Sequence, residues 1–251
     1  MVECATDLRH IFSPMNMILL FSEDFIDAQT VVLCDSRLVH VREVLRAQAG
    51  DFVRVGVLNG LLGTGTITAL TDKVVELKVA LTESPPAPLP VTLLLAMPRP
   101  KCFRRILQGA TTMGVKRIAL FGAYKVEKSY WKSPWLEALE LQRQLVLGLE
   151  QARDTVLPLV TLHPLFKPFI EDDVPSLTAG MRRWVAHPGD EATCPANVGE
   201  PVALAIGPEG GFTDYELGLL AESGFECITL GQRILRTEQA VPALLGRLMG
   251  E

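Results

Sequence analysis

No apolar run in this chain approaches eighteen residues, so the sequence offers no helix that would span a membrane. The N-terminus lacks a basic stretch leading into an apolar one, which argues against a secretory leader. Cysteines are few: Cys4, Cys34, Cys102, Cys194 and Cys227 lie scattered, and no two form a Cys-x-x-Cys pair. The four histidines are equally dispersed, so neither a zinc site nor a disulfide framework is expected. Reduced thiols in the cytoplasm are the natural expectation, with no metal. Positive charge is not in excess either: 24 Lys and Arg stand against 29 Asp and Glu, a net −5. Residues 1–84 carry 7 basic and 11 acidic side chains and the remainder 17 and 18, so neither part has the bulk basicity of a promiscuous nucleic-acid binder. What is present is an ordinary globular composition, 48% hydrophobic and 21% charged, long enough at 251 residues for one large or two modest cores.

The clearest boundary is residues 84–90, SPPAPLP, whose four prolines favour an extended, semi-rigid spacer. Before it the pattern is β. Residues 15–21 look like the start of a first strand, and residues 1–14 read as an extension, with Met15 or Met17 as alternative starts. Val53, Val55 and Val57 alternate and run into an Asn59-Gly60 turn; Val75, Leu77, Val79 and Leu81 alternate with polar residues. Residues 37–47 read as a short helix. Short alternating strands with tight turns suggest a small barrel over residues 1–84. After the spacer the pattern becomes α/β: strands at 91–97 and 117–121, helices at 101–113 and 135–153, further strands at 184–186 and 202–206, and a last helix at 239–249. Alternation of this kind argues for a parallel sheet flanked by helices.

Two loops stand out. The apolar run 202–206 breaks into Gly207-Pro208-Glu209-Gly210-Gly211, and a second run, 227–230, breaks into Gly231 and then Arg233-Ile234-Leu235-Arg236-Thr237-Glu238. Glycines leave no side chain in a ligand's way, and ligands of open α/β sheets bind beyond the carboxyl ends of the strands. Thr213 and Glu216 have capping-box spacing, so a helix is expected to start there. The first loop is neither a dinucleotide fingerprint nor a P-loop, because G-x-G-x-x-G and Gly-Lys-Ser/Thr are both missing. A tight turn without ligand remains the alternative, and arginines in the second loop suit either an anionic ligand or solvent.

IGPEGGF followed by LGQRILRTEQA resembles the RsmE family of ribosomal RNA methyltransferases, of the SPOUT class. The likeness spans nearly the whole chain. His40 through Arg46 with Gly50-Asp51 resembles the family's H-x-x-x-VLR…GD, Gly114 through Ile118 its LGV-x-x-I, and Glu150 through Arg153 with Pro158 its EQ-x-x-R…P. Two departures are visible. Thr112-Met113-Gly114 replaces a common x-Glu-Leu-Gly, and Gln239 stands where Thr is frequent.

The resemblance implies an N-terminal PUA-like small β-barrel that binds RNA (residues 1–84), the linker (85–90) and a C-terminal SPOUT α/β domain with a trefoil knot (91–251). It implies S-adenosylmethionine as cofactor, held by Ala186, His187, Ile206, Gly207, Pro208, Glu209, Gly210, Leu230, Gly231, Ile234, Leu235 and Arg236. The implied reaction is methylation of N3 of a uridine in 16S ribosomal RNA of the small subunit. Arg236 would stabilise charge, and either Glu238 or Glu209 would accept the proton or orient the base; the sequence does not choose between them. Arg37, Arg42, Arg46, Arg99, Lys101, Arg104, Arg105 and Arg153 are the candidate RNA contacts, with Arg42 and Arg46 on one helical face. His40 reads as a packed histidine, and Glu150 and Arg153 either form a local pair or line the cleft. A homodimer is expected, because the resemblance implies a site built with help from the partner, as in SPOUT-like enzymes, and because the last helix's face (Val241, Leu244, Leu245, Leu248) needs cover. A non-catalytic RNA-binding factor and a phosphate-binding hydrolase are the rival readings. The exact nucleotide, and whether naked RNA or an assembled subunit is the substrate, lie beyond the sequence.

Overall fold

A computed structural model describes residues 16–189 and 192–249. The proposed extension at residues 1–14, with Met15 as a start, lies outside the described residues. The chain divides into two compact units, one reaching to Pro86 and including Leu149–Leu157, the other formed by Ala87–Gly148 and the residues from Pro158 on.

The first unit is a five-stranded sheet built from β1 (Ile18–Leu20), β2 (Thr30–Leu33), β3 (Phe52–Val57), β4 (Leu62–Leu70) and β5 (Val75–Glu83), in the order β1-β3-β4-β5-β2. β1 and β3 are parallel and the other neighbours antiparallel. The alternation seen in the sequence is the inward face: Val53, Val55, Val75, Leu77 and Val79 are buried with Ile18, Leu20, Val31, Leu33 and Leu38. Asn59 turns the β3–β4 hairpin in the left-handed region (φ 57°), which Asn tolerates better than most residues. The expected helix at 37–47 is shorter. Asp35 caps α1 (Ser36–Val39), which runs on as a π-helical turn, His40–Val44. Arg46 lies beyond it at φ 51°, so Arg42 and Arg46 do not share a helical face. His40 is buried, in keeping with a packed role. The Gly50-Asp51 signature is a turn: the Asp51 carboxylate accepts from the Gln48 amide at 2.7 Å, and the Gly50 amide donates to the Ile67 carbonyl at 2.8 Å.

The second unit is a seven-stranded, all-parallel sheet. Its elements are β6 (Leu89–Ala96), α2 (Pro100–Thr112), β7 (Val115–Phe121), α3 (Ala138–Ala152), β8 (Leu159–His163), α4 (Phe166–Pro168), α5 (Val174–Leu177), β9 (Arg182–Ala186), β10 (Ala192–Thr193), β11 (Val202–Ile206), α6 (Asp214–Glu222), β12 (Glu226–Thr229) and α7 (Thr237–Met249). The last turn of α3 groups with the first unit. The sheet order is β10-β12-β9-β11-β6-β7-β8. β11 is buried at all five positions, as an uninterrupted apolar run in a central parallel strand should be. β8 goes unmarked in the sequence because Leu159, Val160 and Leu162 neither run unbroken nor alternate strictly with polar residues, and at the sheet edge the strand is half exposed. β6 begins at Leu89, whose amide bonds to Gly114, so the spacer ends earlier than residue 90.

The last helix starts at Thr237 and not at residue 239, which places Pro242 inside it. Its apolar face does not await a partner chain. Val241, Leu244, Leu245 and Leu248 are buried, and α7 packs on α2 within the unit. That face therefore supplies no reason for a dimer. Cys102, Cys194 and Cys227 are free. No described helix is long and apolar enough to cross a membrane, and no metal-binding cluster occurs among the described residues.

Candidate functional site

Four neighbouring strands, β12, β9, β11 and β6, finish at one level. Ile206, at the end of β11, pairs with Ala186 of β9 and Leu95 of β6, and Ala186 pairs in turn with Ile228 of β12. The segments that follow them therefore leave the sheet side by side. These are residues 97–99, His187-Pro188-Gly189, the 207–213 loop and the 230–236 loop. The His187 amide donates to the Ile228 carbonyl at 3.0 Å, tying the β9 exit to β12.

The 207–213 loop is held from three sides. A tight turn runs from the Pro208 carbonyl to the Gly211 amide at 2.8 Å, with Gly211 at φ 72°, where a side chain would be strained. The Glu209 carboxylate accepts from the Arg99 amide at 3.0 Å, anchoring the loop to the start of α2. Lys125 donates to the Gly210 carbonyl at 2.8 Å and lies so close that a Cβ on Gly210 would stand 2.9 Å from its Cδ. Glu216 is buried beneath. It completes the expected capping box with Thr213 and also accepts from the Tyr124 amide at 2.7 Å. Pro208 and Ile206 are buried and Gly207 half-buried, with the Phe212 ring against it.

The 230–236 loop is exposed. Gly231 turns at φ 109°, held by a bond from its amide to the Thr229 hydroxyl, and Leu230 is half-buried. Ile234 is 81% and Leu235 37% exposed, and both Arg233 and Arg236 face solvent. The Arg236 carbonyl accepts the Gln239 and Ala240 amides at 2.8 Å, starting α7.

Glu209 and Glu238, far apart in sequence, both act on the Cys102 thiol. The Cys102 thiol is pushed up by burial, by a hydrogen bond to Glu238, and by the negative charges of Glu238 and Glu209. Burial, a 3.1 Å hydrogen bond from its hydroxyl to Glu127 and Glu127's charge push up the Tyr130 phenol, which also feels Arg99 and Glu209. Cys102 and Tyr130 carried no signal in the sequence. Cys102 feels both glutamates and Tyr130 only Glu209, and Arg104 of α2 meets Trp135 of the 122–137 segment.

The basic candidates separate. Arg37 leaves the RNA-contact set. It is 8% exposed, its guanidinium bonds both Asp24 oxygens at 2.6 and 2.7 Å, both Asp35 oxygens and the Leu19 carbonyl, and it lies over the Phe21 ring. An arginine spent in this way has no donor for a phosphate. Arg42 pairs with Glu43 at 3.0 Å and Asp72 at 3.6 Å. Arg104 stacks on Trp135 at 4.2 Å. Arg46, Arg99, Lys101, Arg105 and Arg153 are exposed. Glu150 is 4% exposed and accepts from the Leu19 amide at 3.3 Å in the first unit. Burial pushes its carboxyl up to about 7.

Residues 85–249 match the model of the RNA methyltransferase domain family. A ribosomal RNA small subunit methyltransferase E of Treponema pallidum (strain Nichols) is 32% identical over 91% of this chain and 88% of its own length. Its namesake from Synechocystis is 29% identical over 90% and 74%. Among solved structures, the ribosomal RNA small subunit methyltransferase E of Neisseria gonorrhoeae, bound to S-adenosyl methionine, shares the fold, with a TM-score of 0.72 at 21% identity, covering 92% of this chain and 95% of that one. This chain belongs to the RNA methyltransferase family, among the ribosomal RNA small subunit methyltransferase E proteins.

Proposed function

We propose that this protein methylates N3 of a uridine in 16S ribosomal RNA of the small subunit, using S-adenosylmethionine. The observation that carries the reading is the common level of β12, β9 and β11, from which three Gly-bearing loops leave the sheet side by side. The residues fit the cofactor. Exposed backbone at Gly210 and Gly231 suits close polar contact, and the outward Ile234 and Leu235 suit a planar base. Ala186, His187, Ile206, Gly207, Pro208 and Leu230 complete the cradle. Bound there, the cofactor supplies a methyl group on a sulfonium, whose leaving group is already activated.

The remaining work falls to the chain. N3 of uracil holds a proton between two carbonyls and is not nucleophilic until that proton leaves. Either Glu238 or Glu209 accepts it, and a positioned general base contributes about 10²–10⁴-fold. One Glu209 oxygen is occupied by the Arg99 amide, which orients the other. Arg236 offsets charge developing on the uracil carbonyl oxygens. Holding the base in line with the methyl is the larger contribution.

In this reading the C-terminal loops form a trefoil knot of the SPOUT kind, and the first unit is a PUA-like RNA-recognition module. The protein acts in the cytoplasm as a homodimer. Support for the dimer is the family resemblance alone, and light scattering at micromolar concentration tests it. Incubation with labelled S-adenosylmethionine and small subunits lacking the modification, followed by nucleoside analysis, should show label on N3 of one uridine. Cofactor-saturated protein that transfers no label to RNA would overturn the assignment.

A further inference from the structure

Four of the six Tyr and Trp residues in the whole chain fall within residues 124–135, YKVEKSYWKSPW, together with three lysines and one glutamate. This segment follows β7 and holds two short 3-10 turns, Lys128–Lys132 and Pro134–Leu136. It is not core. Tyr124 is 83% exposed, the three lysines are exposed, and Tyr130, Trp131 and Trp135 are only half-buried. Yet it is fastened. The Tyr124 amide is held by Glu216, Lys125 by the Gly210 carbonyl and the Tyr130 hydroxyl by Glu127, and Trp135 lies over the Arg104 guanidinium at 4.2 Å. The backbone at Tyr124 and the Tyr130 ring are thus fixed among exposed cations, which lowers the ordering entropy lost on binding.

We propose that residues 124–135 form a stacking platform for single-stranded RNA beside the methyl-transfer site, receiving nucleotides that flank the target uridine. The proposal rests on the function above and names a surface for its substrate. Single-stranded RNA is recognised by bases stacked on aromatic rings along a cationic track. Here the rings are Tyr124, Tyr130 and Trp131. The track is the exposed Lys125, Lys128 and Lys132. The direct bond from Lys125 to Gly210 makes the platform continuous with the 207–213 loop. A target base lifted out of its stack leaves its neighbours unstacked, and rings at this place would replace that stacking.

The test uses the full chain and small subunits lacking the modification. Tyr124→Ala should raise KM for subunits about tenfold with kcat nearly unchanged, and Tyr124→Phe, which keeps the ring, should restore it. Lys128→Ala with Lys132→Ala should flatten the dependence of log KM on log salt by about 1.4, near 0.7 for each single-strand phosphate no longer neutralised, a change Tyr124→Ala should not make. Affinity for S-adenosylmethionine, read by calorimetry, should stay within about twofold in all three. An unchanged KM for Tyr124→Ala would overturn the platform while leaving the methyltransferase reading intact. So would weakened cofactor binding, which would place Tyr124 in the cofactor site, or a changed mass in light scattering, which would make the surface an interface between copies. Absence of methylation by the unaltered protein would instead remove the functional reading itself.

Discussion

The carboxylate of Glu216 bridges two loops: one oxygen accepts from the Tyr124 amide at 2.7 Å and the other from the Thr213 amide at 2.8 Å. A residue that the sequence marks only as half of a capping box thus fixes the segment after β7 to the loop after β11. Glu216→Gln keeps the volume, but its amide nitrogen cannot accept, so one part-buried backbone donor loses its partner. The expected loss in urea unfolding is about 1–3 kcal/mol, with a weaker hold on S-adenosylmethionine. An unchanged midpoint together with unchanged affinity would show that the bridge is idle.

Gly210→Val should leave stability within about 1 kcal/mol, because the colliding atom is the flexible Cδ of Lys125. The new side chain displaces the Lys125 bond and crowds the exposed turn, so cofactor affinity should fall at least about tenfold. Calorimetry giving unaltered affinity would take this loop out of the site.

Burial raises the carboxyl of Glu150 from 4.5 to about 7. The folded protein therefore holds a proton that the unfolded chain releases between these values. Stability from this group is complete below about pH 4.5 and declines as pH rises to about 7, by up to roughly 3 kcal/mol. Glu150→Gln keeps an acceptor for the Leu19 amide and carries no charge. It should be more stable than the parent at pH 8, equal to it near pH 4.5, and flat between. Urea midpoints across that range check it; parallel curves for the two proteins would contradict it.

Arg37→Met strands the buried Asp24 and its neighbour Asp35 without a counter-charge, at a cost of about 3–5 kcal/mol. The defect should be one of folding, seen as an earlier urea midpoint, with RNA affinity of the folded fraction intact. A normal midpoint with lost RNA affinity would return Arg37 to the RNA-contact set.

Arg236→Ala should keep its melting temperature, since an exposed side chain changes stability by under about 0.5 kcal/mol. Single-turnover methylation should drop by about 10²–10³. Near-normal turnover in folded, cofactor-saturated protein would remove Arg236 from the mechanism and leave Glu238 and Glu209 to carry it.

The sequence by itself determined what depends on local pattern. Alternating valines place β3 and β5, and an unbroken apolar run marks β11 as central. Thr213 and Glu216 start α6, and the two Gly-bearing loops are legible as ligand loops because strand ends and glycines are adjacent in the chain. Distance in sequence hid the rest. β8 is an edge strand whose apolar residues, Leu159, Val160 and Leu162, follow neither the unbroken nor the alternating pattern. Whether an arginine meets solvent or carboxylates depends on neighbours brought by other strands, so Arg37 and Arg105 look alike in sequence and differ in the fold. The face of α7 reads as unpaired until α2 arrives to cover it. Glu209 and Glu238 are separated by 29 positions, and only the tertiary structure brings both to Cys102, because a parallel sheet aligns strand ends that the chain reaches at different times. Local rules fix elements; the meeting of side chains across a sheet end is fixed by packing.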